Sequence, residues 1–269
     1  MKRYRLAALC GVLVLAAVSS GCNKLKARDQ LNKGVNAYRN AQFQAAIDHF
    51  QQAVSLDPTY VNARLYLAMS YFQQYVPGGD SADNLKAGKQ AIDAFGDVLK
   101  MDPQNATALA TIGLIYYNMK DFDKAKEFQQ KRTEAEPNNP EPYYWIGVIN
   151  WAVCYKNNAD ARAGDSKLST PNAQGDLPPL PEKIRADLSA KNSALVDDGI
   201  KALEKAVDLR PNYDDAMTYL NLLLRQKADL EADSDARAAD FKSAEDWQQK
   251  AIQARKTLAA QTPAGGITQ

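Results

Sequence analysis

The stretch ATALATIGLIYYNMKDFDKAKEFQQKRTEAEPNN, residues 106–139, decides the fold. Leu109, Ile112, Gly113 and Tyr116 recur at the three- and four-residue steps that bring side chains onto one helix face. Phe122, Ala125 and Phe128 do the same on a second helix. Pro137 has no N–H to donate to a preceding turn and closes the unit. The small Gly113 lets two helices approach closely, and the large residues three and four positions away fill the space that remains.

The same marks recur along the chain. Closing prolines stand at Pro58, Pro103, Pro137 and Pro211, separated by 45, 34 and 74 residues. Small residues of the first helices stand at Gly34, Ala68, Gly113 and Gly147, separated by 34, 45 and 34, with Asn221 a further 74 on. Two independent ladders that share the spacings 45, 34 and 74 mark one repeating unit with extra residues inside particular copies. Small residue, aromatic, Ala, aromatic and Pro in a unit of about 34 residues resembles the tetratricopeptide repeat (TPR). The resemblance covers roughly Ala27 to Lys256. It implies an all-α fold, a TPR α-solenoid forming a right-handed superhelix of about five helix-turn-helix repeats.

The repeats divide as 27–60, 61–105, 106–139, 140–213 and 214–257, the last with a capping helix because its closing proline is missing. In the second, Pro77-Gly78-Gly79-Asp80 is a turn within an insertion near 75–85. No Gly-Lys-Ser/Thr follows, so it is not a phosphate loop. In the fourth, residues 155–181 are rich in Asn, Asp, Gly, Ser and Pro and read as a loop insertion. A helical period resumes at Glu182, as one helix or with a break at Lys191-Asn192-Ser193. Residues 258–269 read as a flexible tail.

At the start, Lys2, Arg3 and Arg5 precede the apolar run Leu6–Val18 and then Ser19-Ser20-Gly21-Cys22. A charged region, a short apolar region and small residues before a cut make a secretory signal, and the run is too short to span a bilayer. A Cys directly after Gly resembles a bacterial lipoprotein signal, although Ser19 stands where Leu is usual. The resemblance implies a cleaved signal peptide at 1–21, a lipid on Cys22 and a lipidated tether at 22–26. Asn23, rather than Asp, after that Cys implies the periplasmic face of the outer membrane. Of 33 basic residues, cleavage removes three and leaves 30 against 32 acidic ones. That balance provides no electrostatic reason to expect nucleic acid.

One His (His49) and two mature cysteines, Cys22 and Cys154, assemble neither a His-based triad nor a zinc cluster. No dinucleotide or Walker fingerprint is present. No cofactor, metal or catalytic residue is expected, and the chain reads as a non-enzyme. Cys154 reads as a small buried hydrophobe and His49 as a residue on a solvated flank. In TPR proteins the first helices line the concave face. The resemblance places Val35, Tyr38, Leu65, Met69, Phe72, Leu114, Tyr117, Tyr144, Val148 and Trp151 there. Chaperone-docking members clamp a C-terminal carboxylate with Lys, Arg and Asn at such positions, and this chain has almost none. The expected function is a lipid-anchored scaffold for other envelope proteins, binding apolar or amphipathic peptide in an aromatic groove. The alternative is a carboxylate-based cell-wall hydrolase using the 155–181 loop.

Overall fold

A computed structural model describes residues 2–171 and 177–261, with side chains for 21–171 and 177–260. All regular elements among the described residues are helices: α1 (Lys2–Arg39), α2 (Phe43–Leu56), α3 (Val61–Phe72), α4 (Ala82–Met101), α5 (Ala106–Asn118), α6 (Phe122–Ala135), α7 (Pro140–Arg162), α8 (Ser166–Ser169), α9 (Glu182–Leu209), α10 (Asp214–Ala228) and α11 (Ser234–Gln261).

The proline ladder sets four of the helix ends. α2, α4, α6 and α9 each stop two residues before Pro58, Pro103, Pro137 and Pro211. The intervening residue still donates its N–H to the last turn, Asp57 to Ala53, Asp102 to Val98, Glu136 to Arg132 and Arg210 to Ala206, at 2.9–3.0 Å. Three of these residues then leave helical geometry in the same way, with φ/ψ of −138°/90°, −135°/84° and −138°/90° at Asp57, Asp102 and Arg210. The ring of a following proline disfavours the helical conformation at the residue before it.

The small-residue ladder sets close approaches. A Cβ on Gly34 would overlap the ring of Phe50, and one on Gly147 would overlap Leu203 Cγ. The rung at Asn221 works differently. Its amide donates to the Ala244 carbonyl at 2.7 Å and ties α10 to α11 through a hydrogen bond.

The chain divides into two compact units, residues 1–121 and 122–269. The repeat read from 106–139 is therefore split between them. In the first unit α1 packs on α2, α2 on α3, α3 on α4 and α4 on α5. Its core holds Ala46, Phe50, Ala53 and Ala63 under α1, and Tyr75, Ala91 and Ile115 further along. The 75–85 insertion is a turn with Gly78 at φ +77°. The Asn84 side chain closes it, accepting from Val76 N–H at 2.7 Å and donating to the Val76 and Gly79 carbonyls at 2.8 Å. In the second unit α7 packs on α9, α10 on α11, and α10 also on α7 and α9. Cys154, Val196, Leu203, Ala206, Ala216, Leu220 and Leu223 form its core.

Several expectations need correction. Residues 22–26, read as a tether, continue α1: no Gly or Pro interrupts Asn23–Arg28, and Ala27 is fully buried. α7 runs on to Arg162, so the first part of the 155–181 loop is helix. Its buried stripe continues Gly147, Asn150, Cys154, Asn158 and Arg162 at steps of three and four, but turns from apolar to polar. An apolar period alone cannot follow such a stripe. Of the two readings left open from Glu182, the unbroken helix is the one found, α9 running through Lys191-Asn192-Ser193. Asn192, at the suspected break, is buried, donating to the Cys154 carbonyl at 3.2 Å and accepting from Asn157 at 2.8 Å. α11 reaches Gln261, so 258–261 is helical, and the rest of the tail lies outside the described residues. Gln129, where the repeat usually has an aromatic, is buried with its Oε1 unpaired.

Candidate functional site

The ten residues assigned to a groove fall on four first helices. In the first unit Val35 and Tyr38 lie on α1, Leu65, Met69 and Phe72 on α3, and Leu114 and Tyr117 on α5, all half-buried. Tyr38 meets the edge of Phe43 at 5.5 Å, and its hydroxyl accepts from Gln73 at 2.7 Å. Phe72 and Tyr75 are tilted rings 6.3 Å apart. Burial raises the Tyr117 phenol above its ordinary value.

In the second unit Tyr144 and Trp151 are half-buried on α7, whereas Val148 is 2% exposed. Val148 is core rather than groove lining, because α7 is packed by α6, α9 and α10 and little of its circumference is left to solvent. None of the ten is exposed, so neither unit carries the bare apolar patch that ten open side chains would make.

What the second unit presents instead is a row of touching rings. Tyr144 meets Tyr219 edge-on at 5.7 Å, Tyr219 meets Trp151 edge-on at 5.3 Å, and Trp151 stacks on Tyr155 at 5.2 Å. Tyr213 adjoins the Tyr144 end at 5.1 Å. Edge-to-face and offset contacts at these spacings are the favoured aromatic geometries. Tyr155, Tyr213 and Tyr219 were missed in the sequence. Tyr155 follows Trp151 by four residues, a helical step that the loop assignment obscured. Tyr219 comes from α10 and meets α7 only through the fold. Tyr155 is 55% exposed, so the row opens to solvent at that end.

Charges along the row are satisfied inside the protein. At one end Glu141 accepts from the Tyr213 hydroxyl at 3.0 Å and pairs with Arg210 at 2.9 Å, while Arg210 lies 4.3 Å over the Tyr213 ring. Burial, then the neighbouring Glu141 carboxylate, pushes the Tyr213 phenol well above the ordinary tyrosine value. At the other end a pocket of about 250 Å³ is lined by Tyr155, Asn158, Ala159, Arg162, Ser169, Leu177 and Gln226.

Beneath that pocket lies a buried polar cluster with no counterpart in the sequence reading. Arg162 pairs with Asp229 at 3.0 Å, their side chains 3% and 6% exposed. Asn158 donates to Asp229 at 2.8 Å and to Gln226 at 3.0 Å, and accepts from Arg162 Nε at 2.6 Å. Arg162 Nη1 also donates to the Leu168 and Pro178 carbonyls, and Arg237 donates to the Leu177 carbonyl at 2.7 Å. Leu177 and Pro178, ahead of α9, are thus held by their backbone oxygens.

Other singled-out residues have structural partners. Cys154 is buried, which pushes its thiol up to about 12. His49 is half-buried with Nδ1 2.8 Å from Gln30 Oε1 rather than on a solvated flank. Asp198 accepts from Lys126 at 2.7 Å and Asn150 at 2.9 Å. Asp214 accepts from Arg255 at 2.6 Å. Cys22 is exposed on α1. No described helix is long and apolar enough to cross a membrane.

Family models described as tetratricopeptide repeat match residues 31–92 and 86–145. Over 123 residues the chain is 26% identical to a probable UDP-N-acetylglucosamine–peptide N-acetylglucosaminyltransferase SPINDLY of Hordeum vulgare, covering 46% of this chain and 13% of that protein. It is 25% identical to Hsp70-Hsp90 organizing protein 3 of Arabidopsis thaliana over 115 residues, 43% of this chain and 19% of that one. The matches span well under two thirds of either relative. Among solved structures, a crystal structure of MamA protein aligns with a TM-score of 0.58 at 15% identity, over 89% of this chain and 97% of that one. YrrB, described as a TPR protein with an unusual peptide-binding site, aligns with a TM-score of 0.51 at 14% identity, over 84% and 90%. At such identities the likeness is one of fold.

Proposed function

We propose that the chain, which matches tetratricopeptide-repeat models over residues 31–145, is a non-catalytic scaffold that takes an apolar or amphipathic segment of another protein on its first-helix faces. The observation that carries this is the ring row of Tyr144, Tyr219, Trp151 and Tyr155, open at Tyr155 and with its neighbouring charges already paired. Aromatic side chains provide large contact area at little conformational cost, and they dominate the energetics of interfaces.

The setting we propose is the bacterial cell envelope, with the chain anchored by a lipid on Cys22 at the periplasmic face of the outer membrane and other envelope proteins as partners. The support is the basic start, the short apolar run and the Gly21-Cys22 junction. The experiment is a photo-crosslinking amino acid placed at Tyr155 in cells. A discrete crosslinked protein, lost when Trp151→Ala is added, supports the scaffold reading. A crosslinker that captures no protein in either background rejects it.

A further inference from the structure

We propose that the segment held by the α7–α10 ring row is extended, uncharged and proline-rich, with one of its prolines or apolar side chains seated in the pocket beside Tyr155. The inference rests on the peptide-binding reading above and names the class of segment that fits.

Charge is the first argument. Glu141 is taken by Arg210 and Tyr213, Asp214 by Arg255, Lys156 by Asp160 and Arg162 by Asp229. A charged ligand group would lose water here without gaining a free counter-charge. The pocket's one cation is committed. Arg162 donates through Nε to Asn158 and through Nη1 to two backbone carbonyls, and its Nη2 faces Asp229. No carboxylate clamp is left for a free C-terminus.

Shape is the second. The rings touch their neighbours at centroid spacings of 5.2–5.7 Å and form one continuous row. Faces and edges alternate along it, since Tyr219 stands at 76° to both Tyr144 and Trp151. Flat pyrrolidine rings lie against such a row. A polyproline II segment also arrives with its backbone already extended, so little entropy is lost on docking.

The third argument is that this unit already holds such a segment of its own. Leu177-Pro178-Pro179 lies beside Arg237 and Phe241, and Pro181 two residues on has φ −52°, ψ 144°, in the polyproline II region. Its Leu177 and Pro178 carbonyls accept from Arg237 and Arg162, and Leu177 also forms one wall of the Tyr155 pocket.

The test is a titration of the full chain followed by tryptophan fluorescence, using end-blocked peptides of equal length. One repeats Pro-Pro-Leu-Pro, one is an amphipathic Leu/Lys/Glu helix, and one is the proline peptide with a free acidic C-terminus. The proline peptide is expected to saturate, with affinity unchanged between low and high salt and not improved by the acidic end. Tyr155→Ala is expected to weaken it by about tenfold or more. Its thermal midpoint should stay unchanged, because Tyr155 is exposed. Preference for the helical peptide, weakened by Tyr155→Ala, overturns this inference and leaves the peptide-binding reading standing. Binding of the proline peptide that Tyr155→Ala does not weaken overturns the placement. Binding of none of the three overturns both readings.

Discussion

Arg162 at the end of α7 and Asp229 at the end of α10 form an ion pair of 3.0 Å, with side chains 3% and 6% exposed. Around them Asn158, Gln226 and Arg237 complete the cluster that ties α7, α10, α11 and the segment before α9 together. Arg162→Ala leaves the Asp229 carboxylate buried without its main partner and is expected to cost about 3–5 kcal/mol in chemical denaturation. Arg162→Met with Asp229→Leu, which removes both charges, should recover part of that loss. Equal destabilisation in the single and double variants would show that backbone anchoring, not charge pairing, is what matters.

A Cβ added at Gly147 on α7 would overlap the Leu203 side chain on α9. Gly147→Ala is expected to destabilise by about 1–3 kcal/mol through overpacking, despite the better helix propensity of Ala. Adding Leu203→Ala provides room, so the double variant should be more stable than the sum of the two single changes predicts. A double-mutant cycle by thermal or urea unfolding measures the coupling. Additive losses would contradict the contact.

Asp198 gives an acid-side signature. Burial raises its carboxyl, but hydrogen bonds from Lys126 and Asn150 outweigh burial and leave it below the ordinary carboxylate value. A lowered folded value contributes stability that is present above the ordinary carboxylate pKa of about 4 and is lost as pH falls through the folded one. Asp198→Asn is expected to lower the midpoint at neutral pH and flatten its fall below pH of about 4. An unchanged acid limb would mean that the pairing with Lys126 contributes little.

Cys154 should be chemically silent. Its thiol is buried and pushed up to about 12, so the nucleophilic thiolate is scarce at neutral pH. In a Cys10→Ser, Cys22→Ser background, which leaves Cys154 as the remaining thiol, maleimide is expected to leave the folded protein unlabelled and to label it once after unfolding in urea. Rapid labelling of the folded chain would contradict the burial of α7 against α9.

For the proposed anchor, Cys22→Ser protein is expected to incorporate no fatty acid and to leave the membrane fraction. Continued labelling and membrane retention would reject the lipid site.

The sequence by itself determined the helical hairpins and the four helix ends set by prolines. Pro58, Pro103, Pro137 and Pro211 each act on the turn just before them, and Gly34 and Gly147 each act through the side chain that must be absent. These are local effects, legible from spacing alone. Tertiary structure alone decided the site. Tyr219 joins Tyr144 and Trp151 only because α10 packs on α7, and Val148 leaves the groove because α7 is enclosed on three sides. The far half of α7 was unreadable because its buried stripe continues as Asn158 and Arg162. Periodicity marks a buried position by its apolar side chain. A polar residue becomes tolerable inside only when distant partners arrive, and Asp229 reaches Arg162 only after the intervening helices have folded back.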